Sequence, residues 1–262
     1  MKNAALVVTF LLTAGAAQAG WFDECDHRAH RAAQIDMAGV THVIVIAKAG
    51  SLRVEGRDGV HTVAAAGEAC TSDAGILRDI TLTATRSGST ATIEAHVPSL
   101  DGWNWFGSTS AALDFTVTLP PNVSVDINDT SGGMTVVNVG TCSIDDTSGE
   151  IDVRRVHGDL TIRDTSGAIF VDDVAGNVHI PRDTSGEIEV RRAGGSVSID
   201  EDTSGGITIS GVKRNVFIGH KGSGSIYVSD VGGDFTVDHK GSGGIDYARV
   251  AGRVSLPAKF RR

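Results

Sequence analysis

The sequence predicts an all-β fold: a parallel β-helix or β-solenoid with coils of about 17–19 residues, right-handed, behind an irregular β-rich N-terminal cap. Three observations carry that prediction. A four-residue motif recurs at a near-constant step, the residues between its copies fall into apolar columns, and 33 glycines stand against five prolines. So much glycine without a collagen triplet implies many tight turns and hence many short strands.

Asp-Thr-Ser-Gly begins at Asp129, Asp146, Asp164, Asp183 and Asp202, and Lys-Gly-Ser-Gly takes the same slot at Lys221 and Lys240. The steps are 17, 18, 19, 19, 19 and 19 residues. A fixed internal period is the mark of a stacked-repeat architecture. Aligned on that slot, one column holds Met134, Ile151, Ile169, Ile188, Ile207, Ile226 and Ile245. A second, two residues on, runs from Val136 through Val153, Val171, Val190, Ile209 and Val228 to Tyr247. A corner column follows (Val139 to Val250), and then a second alternating pair, beginning with Cys142 and Ile144. Each coil therefore carries two short strands of period two, rich in β-branched residues. A single coil cannot bury five apolar side chains, so copies must stack above and below it, about 4.8 Å apart. The inward spacing does not repeat every six residues, which argues against a triangular hexapeptide helix. The right hand follows from the general preference of parallel crossovers.

Three regions divide the chain. Residues 1–19 read as an export signal: Lys2, an apolar run from Ala4 to Ala17, and a small-residue site at Ala17-Gln18-Ala19. Residues 20–128 read as the irregular region and cap, and residues 129–262 as the regular coils. Runs such as Val43-Ile44-Val45-Ile46 and Asp114 to Leu119 make the cap strand-like. The expected location is outside the cytoplasm, periplasmic or secreted, where disulfides are permitted. Cys142 falls in an apolar column, leaving Cys25 and Cys70 as the natural pair. The competing reading groups Cys25 with His27 and His30 around a metal, without a second pair of ligands at zinc spacing.

The formal charge of −9 is uneven. Residues 213–262 hold nine Lys or Arg against four Asp, or +5, leaving −14 on residues 1–212. An acidic majority speaks against a nucleic-acid partner. Within the basic end, His220, Lys221, His239 and Lys240 predict an anion-docking edge that gains charge on acidification. Trp103, Trp105 and Phe106 predict an aromatic contact loop for an envelope or surface component, glycan or protein; packing back on the cap is the alternative.

The five-membered Asp column is the remaining site to weigh. Like charges ~4.8 Å apart cost roughly 1 kcal/mol per pair even in water. Calcium or local turn hydrogen bonds would offset that cost. The Thr130, Thr147, Thr165, Thr184 and Thr203 rank invites an ice-binding reading, but regular ice-binding faces use two matched ranks. No residue stands apart from its column as a nucleophile, and neither catalytic residues nor a cofactor are implied. A polysaccharide-binding or polysaccharide-cleaving β-helix is the alternative function.

With Leu119-Pro120-Pro121 closing a β-rich lead segment and Ser-Gly-x-Ile-x-Val coils after it, the chain resembles a bacterial envelope family of adhesin-like β-solenoid proteins of unknown function. That resemblance implies a non-catalytic adhesive, binding or scaffolding module.

Overall fold

The structure, a computed structural model, describes residues 25–98 and 110–260. These residues form a two-sheet, mostly parallel solenoid, with eleven described strands in each sheet. Each regular coil contributes one strand to the first sheet (Ile151–Val156, Ile169–Val174, Ile188–Ala193 and so on). It then crosses to the second sheet (Leu160–Arg163, Val178–Ser185, Val197–Ser204). The registers match the apolar columns: Met134 pairs with Ile151, Ile151 with Ile169, Ile169 with Ile188, and the file continues to Ile245. Every member of that file is at most 9% exposed. β-branched side chains suit this half-buried pleat, and each rung hydrogen-bonds to the rungs on both sides. Cys142 lies in the core as a free thiol, and burial pushes its pKa up to about 12.

The N-terminal region continues both sheets rather than forming a separate body. Its strands are β1 (His27–Asp36), β2 (His42–Ile46), β3 (Leu52–Gly56), β4 (Thr62–Thr71), β5 (Thr81–Ser87), β6 (Thr90–His96), β7 (Ala111–Leu119) and β8 (Ser124–Asn128). Spatial order departs from chain order here. β2 pairs in parallel with both β6 and β8, while β3 pairs in parallel with both β7 and the strand Met134–Val139. The coil formed by residues 42–56 is thus inserted between one that ends in β7 and one that begins with β8. Its Val43, Val45, Leu52 and Val54 join the same interior files as Val125, Ile127, Met134 and Val136.

Parallel pairing gives way to antiparallel pairing at the N-terminal edge of both sheets. β4 runs antiparallel to β1 and β7, and β5 antiparallel to β6. Arg31, on β1, donates to the carbonyls of Ile80 and Leu77 at 2.6 Å each, tying the edge of the first sheet to the segment leading into β5. The Cys25–Cys70 disulfide forms as expected, with Cα atoms 5.6 Å apart, so Cys25 is not free to join His27 and His30 as a metal ligand. At the C-terminal end Phe260 packs against the core and Tyr247 lies 6.0 Å from the Phe235 ring. Tyr247 lies on the last described strand of the first sheet and is 47% exposed.

Candidate functional site

The recurrent aspartates do not form an exposed column. Asp129, Asp146, Asp164, Asp183 and Asp202 are all 7% exposed or less. They line the inside of the corner where each coil leaves the second sheet. Local alternation explains why: Leu160, Ile162 and Asp164 share one phase, so the residue two places past the last Ile must also point inward. The 19-residue coils add one residue at Pro181, and the register shift there keeps Asp183 on the inner side. The threonines that follow are exposed or half-buried on the outside of the turn.

In the first three coils one carboxylate oxygen accepts the amide of the next residue: Thr130 N to Asp129 Oδ1 at 2.7 Å, Thr147 N to Asp146 Oδ1 at 2.7 Å, and Thr165 N to Asp164 Oδ1 at 2.6 Å. Their Oδ2 atoms, and both oxygens of Asp183, are buried without a hydrogen-bond partner. Burial pushes the carboxyls of Asp129 and Asp183 up to about 7 and that of Asp164 up to about 6. Among the described residues, no three His, Cys, Asp or Glu side chains are grouped to hold a metal ion.

Lys221 and Lys240 occupy the same inward position one and two rungs beyond Asp202, in register with it and with each other. They are 0% and 2% exposed, which corrects the expectation that they belong to a docking edge. Lys221 Nζ lies 2.6 Å from Asp202 Oδ2 in an ion pair closed to solvent. Lys240 donates to the carbonyl of Ser242. The exposed edge at this level is His220 and His239, stacked in register with ring centroids 4.4 Å apart. Trp103, Trp105 and Phe106 lie outside the described residues.

The two outer faces differ in chemistry. On the first sheet, the outward row runs Thr135, Asp152, Phe170, Glu189, Thr208, Tyr227 and Asp246. Its charges pair locally: Arg154 with Asp152 at 2.6 Å, Arg191 with Glu189, and, between coils, Arg192 with Asp172 and Arg249 with Asp230 at 2.5 Å. The second sheet presents Asp126, Ser143, Thr161, His179, Ser198, Phe217, Thr236 and Ser255 in one row. Five of the row's eight members are serines or threonines in consecutive or near-consecutive rungs, each able to donate and to accept. His179 pairs with Asp200 at 2.7 Å, and Phe217 is half-buried.

No family model matches the chain, and no curated protein does. Several solved structures are similar in layout. One, described as a "putative adhesin" from Bacteroides fragilis, is 12% identical, with a TM-score of 0.49 over 89% of this chain and 99% of that one. A "putative cell adhesion protein" from Clostridium sporogenes is 9% identical, with a TM-score of 0.30 over 88% and 99%. A "putative adhesin" from Parabacteroides distasonis is 12% identical, with a TM-score of 0.35 over 87% and 97%.

Proposed function

We propose that the protein is a non-catalytic, exported module of the cell envelope that binds or scaffolds through the hydroxyl-rich outer face of its second sheet. The observation that carries this reading is the in-register row from Ser143 to Thr236. Parallel pairing holds successive side chains at a pitch of about 4.8 Å, on a frame whose interior is packed on both sides. A rigid row of donors and acceptors matches an extended polar polymer such as a glycan, with Phe217 available to stack on a sugar ring. The opposite face is already occupied by its own Arg–carboxylate pairs. Asp152 and Asp172, carboxylates that could serve as acids of a polysaccharide-cleaving β-helix, are held by Arg154 and Arg192.

The test is a glycan array and envelope-fraction binding with the exported full-length protein, beside Phe217→Ser and Thr161→Ala/Ser198→Ala variants. The expected result is saturable retention that drops at least tenfold in the variants while melting temperature holds. Substitutions on the first face, such as Glu189→Gln, should leave binding unchanged. Hydrolysis of a bound glycan, abolished by replacing a single Asp or Glu, would overturn the reading.

A further inference from the structure

We infer that the corner aspartates form a proton-holding file, in which carboxyls of successive coils share protons, so that the solenoid takes up protons on folding and is tightest in mild acid. The geometry comes first. Asp183 and Asp202 are paired in register on neighbouring rungs, and Asp129, Asp146 and Asp164 occupy the same corner slot in the coils before them. Rungs repeat at about 4.8 Å. Each carboxyl is almost closed to water, and an oxygen on each of Asp129, Asp146 and Asp164, with both on Asp183, has no hydrogen-bond donor. Orphaned buried acceptors in a row are rare in native proteins and call for a donor.

A proton supplies that donor without any other group. A neutral carboxyl is both O–H donor and acceptor, so a protonated Asp beside an ionised one satisfies both and removes the repulsion between them. The charged groups facing the file are few. Lys48 acts on Asp129 at one end; Lys221 and Lys240 act on Asp202 at the other, with Lys259 beyond them acting on Lys240. Lys221 neutralises Asp202 by direct contact. Among the described residues, the charges that act on Asp164 and Asp183 are those of the neighbouring aspartates Asp146, Asp164 and Asp202.

The electrostatics run the same way. Desolvation, then the neighbouring carboxylates, raises Asp183 to about 7; Asp164 reaches about 6 and Asp129 about 7. An unfolded Asp titrates at about 3.9. Between those values the folded chain binds more protons than the unfolded one, so stability falls as pH rises through about 4 to 7 and levels off above. This is opposite in sign to the salt-bridged Asp230, whose carboxyl Arg249 holds below the usual range and which loses its contribution only in stronger acid.

Two measurements on the full-length protein test the file. In the first, γ-carboxyl ¹³C shifts are followed from about pH 3 to 9 after selective Asp labelling. At least three carboxyls should titrate above pH 5, and loss of one such signal in Asp183→Asn should assign it. If all aspartates titrate below pH 5, the inference fails. The second is melting temperature against pH. The wild type should melt lower at pH 8 than at pH 5. Asp183→Asn, whose amide is a permanent donor of nearly the same shape, should lose part of that difference and exceed the wild type at pH 8. A wild-type melting temperature that is flat or rises over the same interval would overturn the proposal. Should Asp183→Asn fail to fold, the carboxyl titration of the wild type still decides.

Discussion

Replacing Gly205 by alanine tests how closely the coils are stacked. Gly205 has φ +124°, a conformation that L side chains rarely adopt, and a Cβ built there would lie 1.6 Å from the carbonyl oxygen of Gly186 on the rung before. Real Cβ contacts essentially never fall under 3.0 Å, so the rungs would have to part. Two hydrogen bonds span this place, Gly186 N to the Ser204 carbonyl at 3.2 Å and Ile188 N to the Gly206 carbonyl at 2.9 Å. The strained backbone costs about 1–3 kcal/mol. Losing the two bonds adds about 0.5–1.5 kcal/mol each. The expected destabilisation is therefore about 2–6 kcal/mol. Gly206, the next residue, is the internal control: a Cβ there meets nothing within 4 Å, and its φ is not in the left-handed range. Gly206→Ala should shift stability by less than ~1 kcal/mol, in either direction. Urea unfolding followed by far-ultraviolet circular dichroism gives the midpoints. Hydrogen exchange should show the loss of protection centred on the coils of residues 186 and 205. Equal midpoints for the two variants would refute the close stacking inferred here.

Three further outcomes follow from particular contacts. Lys221→Met leaves Asp202 buried without its partner and should cost roughly 3–5 kcal/mol when that carboxyl is ionised. The cost should be smaller at pH 5 than at pH 8, and the Asp202→Asn/Lys221→Met double variant should recover most of it in the same urea assay. Cys25→Ser opens a link between residues 45 apart; the loop-entropy relation puts the loss at about 4 kcal/mol. Hydrogen exchange should report it in β1 and β4 before the regular coils. Ile188→Ala, in the middle of the continuous isoleucine file, should cost about 2–5 kcal/mol in urea unfolding, more than the same change at the less covered Ile245.

The interior files were legible because stacking forces like residues into like places. Once Ile151, Ile169, Ile188 and Ile207 are aligned, only a shared core explains their spacing. The disulfide was legible too, since Cys142 belongs to a core column. The threading of residues 42–56 between later segments was not: parallel registers for β2 and β3 with partners on both sides leave no trace in chain order. The Asp column was weighed as turn chemistry, its repulsion offset by calcium or local hydrogen bonds, and its burial was not foreseen. The alternation Leu160, Ile162, Asp164 nevertheless held the signal of an inward carboxylate, and the later Lys221 in the same slot held that of its counter-charge. His220 and His239 were placed correctly on the surface, whereas their neighbours Lys221 and Lys240 were not. One step along a strand reverses the direction of the side chain.

By itself, then, the sequence determined the period, the two strands in each coil and the residues that fill the interior, because period-two alternation and repetition are local properties that survive in one dimension. Only the tertiary structure decided which rung follows which at the N-terminal end and which charges are closed off from water. Both depend on what lies one rung away, about 4.8 Å in space but 17 to 82 residues along the chain.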